Sequence, residues 1–189
     1  HTLGEVNQAL SEGRYFFVDI YRDGIEISGI SGLKLKSPKP LSPEMALAMA
    51  KEHSEFWLGN AGESLDVAKF CLNGGKLNLT AFNLHQVVEA LYNALLLTYT
   101  NYSPNTHNLN MLRSMSESIV PELIEAWPRA TKTDKKPFNK LVEAYVKARY
   151  SRHYRIDTET LNWLIERIET LHGLVEEACK AHLKALTKT

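Results

Sequence analysis

The sequence predicts a mainly α-helical protein: an antiparallel bundle of four to five helices, with a short β-hairpin remnant at its N-terminus. Three observations carry this reading. From Ser42 onward apolar residues recur every three or four positions, the period of a helix with one buried face. Turn-forming residues gather at a few points, chiefly 29–43, 74–75 and 102–105, so the periodic stretches between them are long. Only the first 30 residues carry a β-rich run. The composition suits a packed protein. Of 189 residues, 44% are hydrophobic and 23% charged, which excludes disorder across the whole chain, and 10 Gly with 7 Pro are too few for a fibrous one.

Each element has its own signal. Leu3 to Leu10 is a short helical pattern, and Tyr15, Phe16, Phe17, Val18, Ile20 and Tyr21 read as a strand. Arg22-Asp23-Gly24 is a turn, after which Ile25 to Ile27 pairs back. Two strands alone are marginal in water, so residues 1–30 read as the closing remnant of an upstream α/β domain. Residues 31–43 form a linker punctuated by Pro38, Pro40 and Pro43, with Lys34, Lys36 and Lys39 between. Residues 44–189 form the bundle.

Ser42 followed by Pro43 opens the first long helix, whose stripe is Leu58, Ala61, Leu65, Ala68 and Leu72; Gly74-Gly75 stops it. A helix from about Leu79 to Thr100 carries Ala81, Leu84, Val88, Leu91 and Leu95 on one face, with Phe82, Val87 and Leu96 on a second, as a central helix must. Thr106 is expected to cap a short helix using Leu109, Leu112, Met115 and Ile119, and Pro121 to Trp127 adds a turn or two. Thr133 is expected to cap the next, with Phe138, Leu141, Val142, Tyr145 and Arg149 in line, which predicts Arg149 on the core-facing stripe. The last helix repeats Leu161, Leu164, Ile165, Ile168, Leu171, Val175 and Ala178. About 150 residues of bundle bury roughly two-thirds of their chain surface, enough for an independent core.

Several function classes drop out. No apolar run reaches about 18 residues, so no membrane span and no membrane partner are expected. Cys71 and Cys179 are too few for a disulfide scaffold and lack metal-site spacing, so a reduced, cytoplasmic protein with no metal is expected. The chain opens on His1, not Met, which reads as a processed, tagged or truncated piece. No Gly-rich phosphate loop, nucleophile elbow or Asp-x-Asp pair is present.

Charge is the informative quantity. The whole chain is neutral, with 22 Lys/Arg and 22 Asp/Glu. Residues 129–155, however, hold 9 Lys/Arg against 2 Asp/Glu. A local basic block draws phosphates even on a neutral chain. Its end, Tyr145 to Arg155, packs four bases (Lys147, Arg149, Arg152 and Arg155), three tyrosines (Tyr145, Tyr150 and Tyr154) and His153 into 11 residues. A pinned guanidinium there is a fork for a phosphate, and tyrosines beside it stack on a base. The bland alternative has Arg149 paired with Glu89 inside the bundle and the other bases simply solvated. A second constellation, His85-Gln86-x-x-Glu89, places imidazole and carboxylate on one helix face; its bland reading is a buried polar network. His107, beside Thr106, reads as a local hydrogen-bonding residue.

Three blocks together resemble a known family. They are Ala81-Phe82-x-Leu84-His85-Gln86-x-x-Glu89-x-Leu91-Tyr92, then Tyr102-x-Pro104-x-Thr106-His107-x-Leu109, then Ala144-Tyr145-x-x-Ala148-Arg149-Tyr150. In that order they resemble the HEPN family, the higher eukaryotes and prokaryotes nucleotide-binding domain, over about residues 45–182. Residues 3–28, with Gly13-x-x-Phe16-Phe17-x-Asp19-Ile20 and Asp23-Gly24-Ile25, resemble the closing segment of a minimal nucleotidyltransferase, which often precedes an HEPN domain. The transferase signature, a Gly-Ser followed by Asp-x-Asp, is not in the chain, so the resemblance places any transferase site upstream of His1.

The resemblance implies a homodimeric, non-catalytic HEPN module of a nucleotidyltransferase fusion, without a cofactor of its own. It would bind a nucleotide or phosphorylated ligand through Tyr145, Arg149, Tyr150, Arg152 and Tyr154, with His85, Gln86 and Glu89 fixing the groove. Many HEPN proteins are instead metal-independent ribonucleases, some of them toxins. They use an Arg followed by a His after four to six intervening residues. Under that alternative Arg149 and His153 would be catalytic on RNA, although only three residues lie between them here. A third alternative is a dimerisation scaffold only.

Overall fold

The structure is a computed structural model, and it describes residues 1–29, 32–38 and 42–188. Among them seven α-helices and one 3-10 turn occur, and no strand. The first two helices are short. α1 (Leu3–Ser11) starts at Thr2, whose hydroxyl accepts from the Glu5 amide while the Glu5 carboxylate accepts from the Thr2 amide, a reciprocal capping box. It ends at Gly13, which takes φ 65°.

The expected β-hairpin remnant is not there. Tyr15–Asp23 forms α2, and residues 25–27 form no strand. The run has only two β-branched residues, Val18 and Ile20, and no third strand to complete a sheet. A helix instead satisfies the backbone within the segment, and Asp19 and Arg22, three apart, add an ion pair at 2.9 Å. The described part of the expected linker is tied to these helices: the Lys36 amide donates to Asn7 Oδ1 at 2.7 Å, and Tyr21 and Ser37 join hydroxyls at 3.1 Å. Lys39 and Pro40, also assigned to the linker, lie outside the described residues.

The bundle follows. α3 (Pro43–Asn73) begins as expected, with the Ser42 hydroxyl accepting from the Met45 amide. Gly74 ends it, and Gly75 at φ 68° reverses the chain. A three-residue connection then brings α4 (Leu77–Thr100) back antiparallel. α4 is buried on most of its surface, including Leu84, Val88, Leu91 and Leu95 on one face and Val87 and Leu96 on the other. It is the central element, packed by α3, α5, α6 and α7.

Asn101, at φ 53°, terminates α4 in the left-handed region that Asn tolerates. α5 (Leu109–Ile119) is capped by Asn108, not Thr106; the Thr106 hydroxyl accepts from the Asn108 amide one step earlier. A 3-10 turn (Pro121–Ala126) leads to Trp127, whose indole N–H donates to the buried Tyr92 hydroxyl at 2.9 Å. α6 (Lys132–Tyr150) is capped by Thr131 rather than Thr133, because only Thr131 has a carboxylate three residues on, Asp134, to complete a capping box. α7 (Thr158–Leu186) starts at Asp157 and buries Leu161, Leu164, Ile168, Leu171 and Val175. Cys71 and Cys179 are both free and buried. Among the described residues no helix is long and apolar enough to cross a membrane.

Candidate functional site

The outer half of α6 lies beside the first half of α4, and the loop before α5 closes over both. That loop is held by local bonds. Thr100 Oγ1 donates to the Tyr102 carbonyl, Ser103 Oγ donates to Asn93 Oδ1, and the Thr106 amide donates to the Pro104 carbonyl. The result is to set His107 against α4.

α4 contributes Phe82, His85 and Glu89, spaced three and four apart and so on one face. His85 is fully buried. Its Nδ1 donates to the Leu141 carbonyl of α6 at 3.0 Å, and because a carbonyl only accepts, the proton sits on Nδ1. The buried Nε2 has no hydrogen-bond partner and lies 3.6 Å from Glu89 Oε2, beyond hydrogen-bond length. His107 approaches the same carboxylate from the other side, with Nδ1 at 3.0 Å from both oxygens. A carboxylate accepts, so His107 also carries its proton on Nδ1, and its Nε2 makes no hydrogen bond among the described residues, on a side chain that is 48% exposed. Burial pushes the Glu89 pKa up; His85 and His107 pull it down and win, leaving the carboxyl below its ordinary value of 4.5.

α6 contributes Tyr145, Arg149 and Tyr150. The Tyr145 ring stacks on His107 at 4.1 Å between centroids and 20° between planes, and lies 5.2 Å from the His85 ring. Arg149 is exposed and does not lie on the core-facing stripe where its spacing put it. Four residues after Tyr145, it turns its Nε back to the Tyr145 carbonyl at 2.9 Å. Its guanidinium carbon stands 4.6 Å from the Phe82 ring, 4.7 Å from Tyr145 and 4.9 Å from Tyr150. The alternative pairing of Arg149 with Glu89 does not occur among the described residues; His85 and His107 flank that carboxylate instead. Among the described residues no acid neutralises Arg149. Three aromatic faces fix it instead, each worth about 0.5–1 kcal/mol at an exposed site.

The other expected site residues are placed differently. Tyr154 is a core residue. Its ring is buried, its hydroxyl donates to the Lys140 carbonyl at 3.0 Å, and burial raises its pKa, so it cannot offer a face to a ligand. Its apolar bulk earns more inside the bundle than on the surface. Gln86 faces α3 across a cleft of about 290 Å³ that Trp57 and Asn60 also line, with Glu89 shared between this cleft and the Arg149 cluster. Arg152 Nε donates to His153 Nε2 at 3.3 Å in the turn after α6, and no hydrogen bond, ion pair or ring contact joins His153 to Arg149 among the described residues. Arg155 donates to the Arg152 and Tyr154 carbonyls, and Lys147 pairs with Glu143 at 3.1 Å. The basic block is therefore partly spent at home.

One further match in sequence bears on the whole arrangement. Residues 54–178, spanning α4, α5, α6 and most of α3 and α7, match the HEPN domain family. The chain belongs to the HEPN family. No curated protein matches it. The HEPN match covers every member of the Phe82, His85, Glu89, His107, Tyr145, Arg149 and Tyr150 cluster. Two of these, Phe82 and His107, were not read from the sequence as site residues. The signal for His107 lay in its block, Pro104-x-Thr106-His107, one of the three that carried the resemblance.

Proposed function

We propose that this HEPN chain binds a nucleotide or another phosphorylated ligand at the outer end of α6, with Arg149 as the phosphate fork. The observation that carries the reading is the state of that guanidinium. Rings and one backbone carbonyl hold it in place, yet among the described residues no carboxylate cancels its charge. A fixed, uncompensated guanidinium gives up little side-chain entropy on binding an anion. Tyr150, 76% exposed, offers a flat face on which a base stacks. Arg152 adds positive field, while Glu89 and His85 are positioning residues that hold His107 and Tyr145. The experiment is a thermal-shift panel of nucleoside triphosphates and a short single-stranded RNA, at low and physiological salt, on wild type and Arg149→Ala. A ligand that binds the folded state raises its stability. Stabilisation that disappears in Arg149→Ala supports the reading; no stabilisation by any ligand contradicts it.

The ribonuclease alternative has one observation in its favour, and it concerns His107 rather than His153. His107 shares the Tyr145 ring with Arg149, is oriented by Glu89, and makes no hydrogen bond through Nε2 among the described residues. In that reading Nε2 takes the proton of a ribose 2′-hydroxyl, the 2′ oxygen attacks phosphorus, the bond from phosphorus to the 5′ oxygen breaks and that oxygen takes a proton from solvent, while Arg149 carries the phosphorane charge. RNA cleavage lost in both His107→Ala and Arg149→Ala selects it. The readings of the chain as part of a nucleotidyltransferase fusion and as a homodimer belong to the same proposal. The first is supported by the blocks in residues 3–28. The second is supported by exposed Phe56, Val67 and Phe70 on one side of α3.

A further inference from the structure

We infer that the cleft between α5 and the first half of α6 is an anion site that takes a phosphate group, held by Arg113, Arg129 and Lys135. This inference is independent of the Arg149 reading. The cleft, lined also by Asn110, Phe138 and Asn139, holds about 140 Å³. That is the room of some four waters at ~30 Å³ each, enough for one tetrahedral oxyanion and too little for a whole nucleotide. Asn139 precedes Arg149 by ten positions on α6, so at 1.5 Å per residue the two sites are about 15 Å apart.

The charges in the cleft do not cancel. Glu117 is the carboxylate that serves both arginines: its Oε1 accepts from Arg113 Nε at 2.8 Å, and its Oε2 from Arg129 Nη1 and Nη2 at 3.0 and 3.1 Å. Lys135 makes no hydrogen bond or ion pair among the described residues, so three cations face one acid. The nearby Asp134 carboxylate is engaged on the Thr131 amide.

Arg113 is the most constrained of the three. Its side chain is 12% exposed, its guanidinium stands 4.8 Å over the Phe138 ring, and its Nη2 is buried with no hydrogen-bond partner. Nη1 also makes no hydrogen bond among the described residues. A mostly buried guanidinium with two of its three nitrogens unbonded is costly by itself. A structural link between α5 and the approach to α6 needs one arginine on Glu117, not two plus a lysine. Charge surplus, Asn amide donors and size together fit a phosphate group, either a free anion or the phosphodiester of a nucleic-acid backbone.

The test follows the side-chain Nε–H resonances of Arg113 and Arg129 by NMR during titration with inorganic phosphate. It is run at fixed ionic strength against chloride, in an Arg149→Ala background so that the other end of α6 contributes nothing. A saturable shift of both resonances is expected. Adding Lys135→Ala, an exposed position whose loss leaves the fold intact, weakens it at least fivefold; Asn139→Leu weakens it too. Lys180→Ala, which removes an equal charge elsewhere, leaves it unchanged. A second arm adds a short single-stranded RNA. Competition with phosphate assigns the group to a backbone phosphodiester, and absence of competition assigns it to a free anion. No saturable shift, or a shift that Lys135→Ala and Asn139→Leu both leave unchanged, overturns the inference.

Discussion

The two ends of α6 hold arginines in opposite ways. Toward its N-terminus Arg113 and Arg129 share Glu117 in a mostly buried ion network. At its C-terminus Arg149 has no acid beside it among the described residues and is gripped by Phe82, Tyr145 and Tyr150 at the surface. In the first arrangement one carboxylate joins two guanidiniums, so removing that carboxylate is a matter of stability. In the second, aromatic rings rather than an acid hold the cation, so its removal is expected to cost binding more than stability.

The largest effect that separates the ends is expected from Glu117→Ala. Glu117 is 11% exposed, and its loss strands Arg113 inside the fold, at a cost of about 3 kcal/mol. Chemical denaturation measures this; a loss below about 1 kcal/mol would mean that the network is not a stability element.

Tyr145→Ala comes next. A half-buried ring shared by His107, His85 and Arg149 is worth about 2 kcal/mol, below the 3–5 of a fully buried aromatic. Any nucleotide-induced thermal shift should vanish with it. Tyr145→Phe should change neither, since no hydrogen bond of the Tyr145 hydroxyl occurs among the described residues.

Glu89→Gln sharpens the comparison through pH. The folded-state pKa of Glu89 lies below its ordinary value, so its contribution is fully present above about pH 4.5 and is lost as pH falls through the folded pKa. The stability advantage of wild type over Glu89→Gln should therefore be full near pH 6 and shrink below 4.5. A gap that grows on acidification would show that the two imidazoles do not stabilise the carboxylate. The smallest stability effect is expected from Arg149→Ala: about 1.5 kcal/mol, the low end for three exposed cation–π contacts.

Much of the bundle was legible because core faces repeat. The stripes from Leu58 to Leu72 and Leu161 to Ala178 needed only the 3.6-residue period. The misread region, Tyr15–Asp23, is short and aromatic, and there propensity without a partner sheet decides nothing. In the site, Tyr145 and Arg149 were visible because residues four apart meet on a helix. The Glu89–His107 contact was not, because 18 residues and a loop separate its partners and only the folded loop brings them together. The exposure of Arg149 escaped for a related reason. Spacing gives the direction of a side chain's root, while a long arginine stem bends back along the helix to its own carbonyl.

The account turns on Arg149 being a planar cation stacked and ready for phosphate, not merely a positive charge. Equilibrium binding of a fluorescent nucleotide to wild type and to Arg149→Lys tests this directly. Lysine keeps the charge but loses the fork and the flat face that lies on the rings. A loss of about tenfold or more in affinity, ~1.4 kcal/mol, is predicted. Equal affinity in the two proteins would contradict it and leave only a diffuse basic surface at this end of α6.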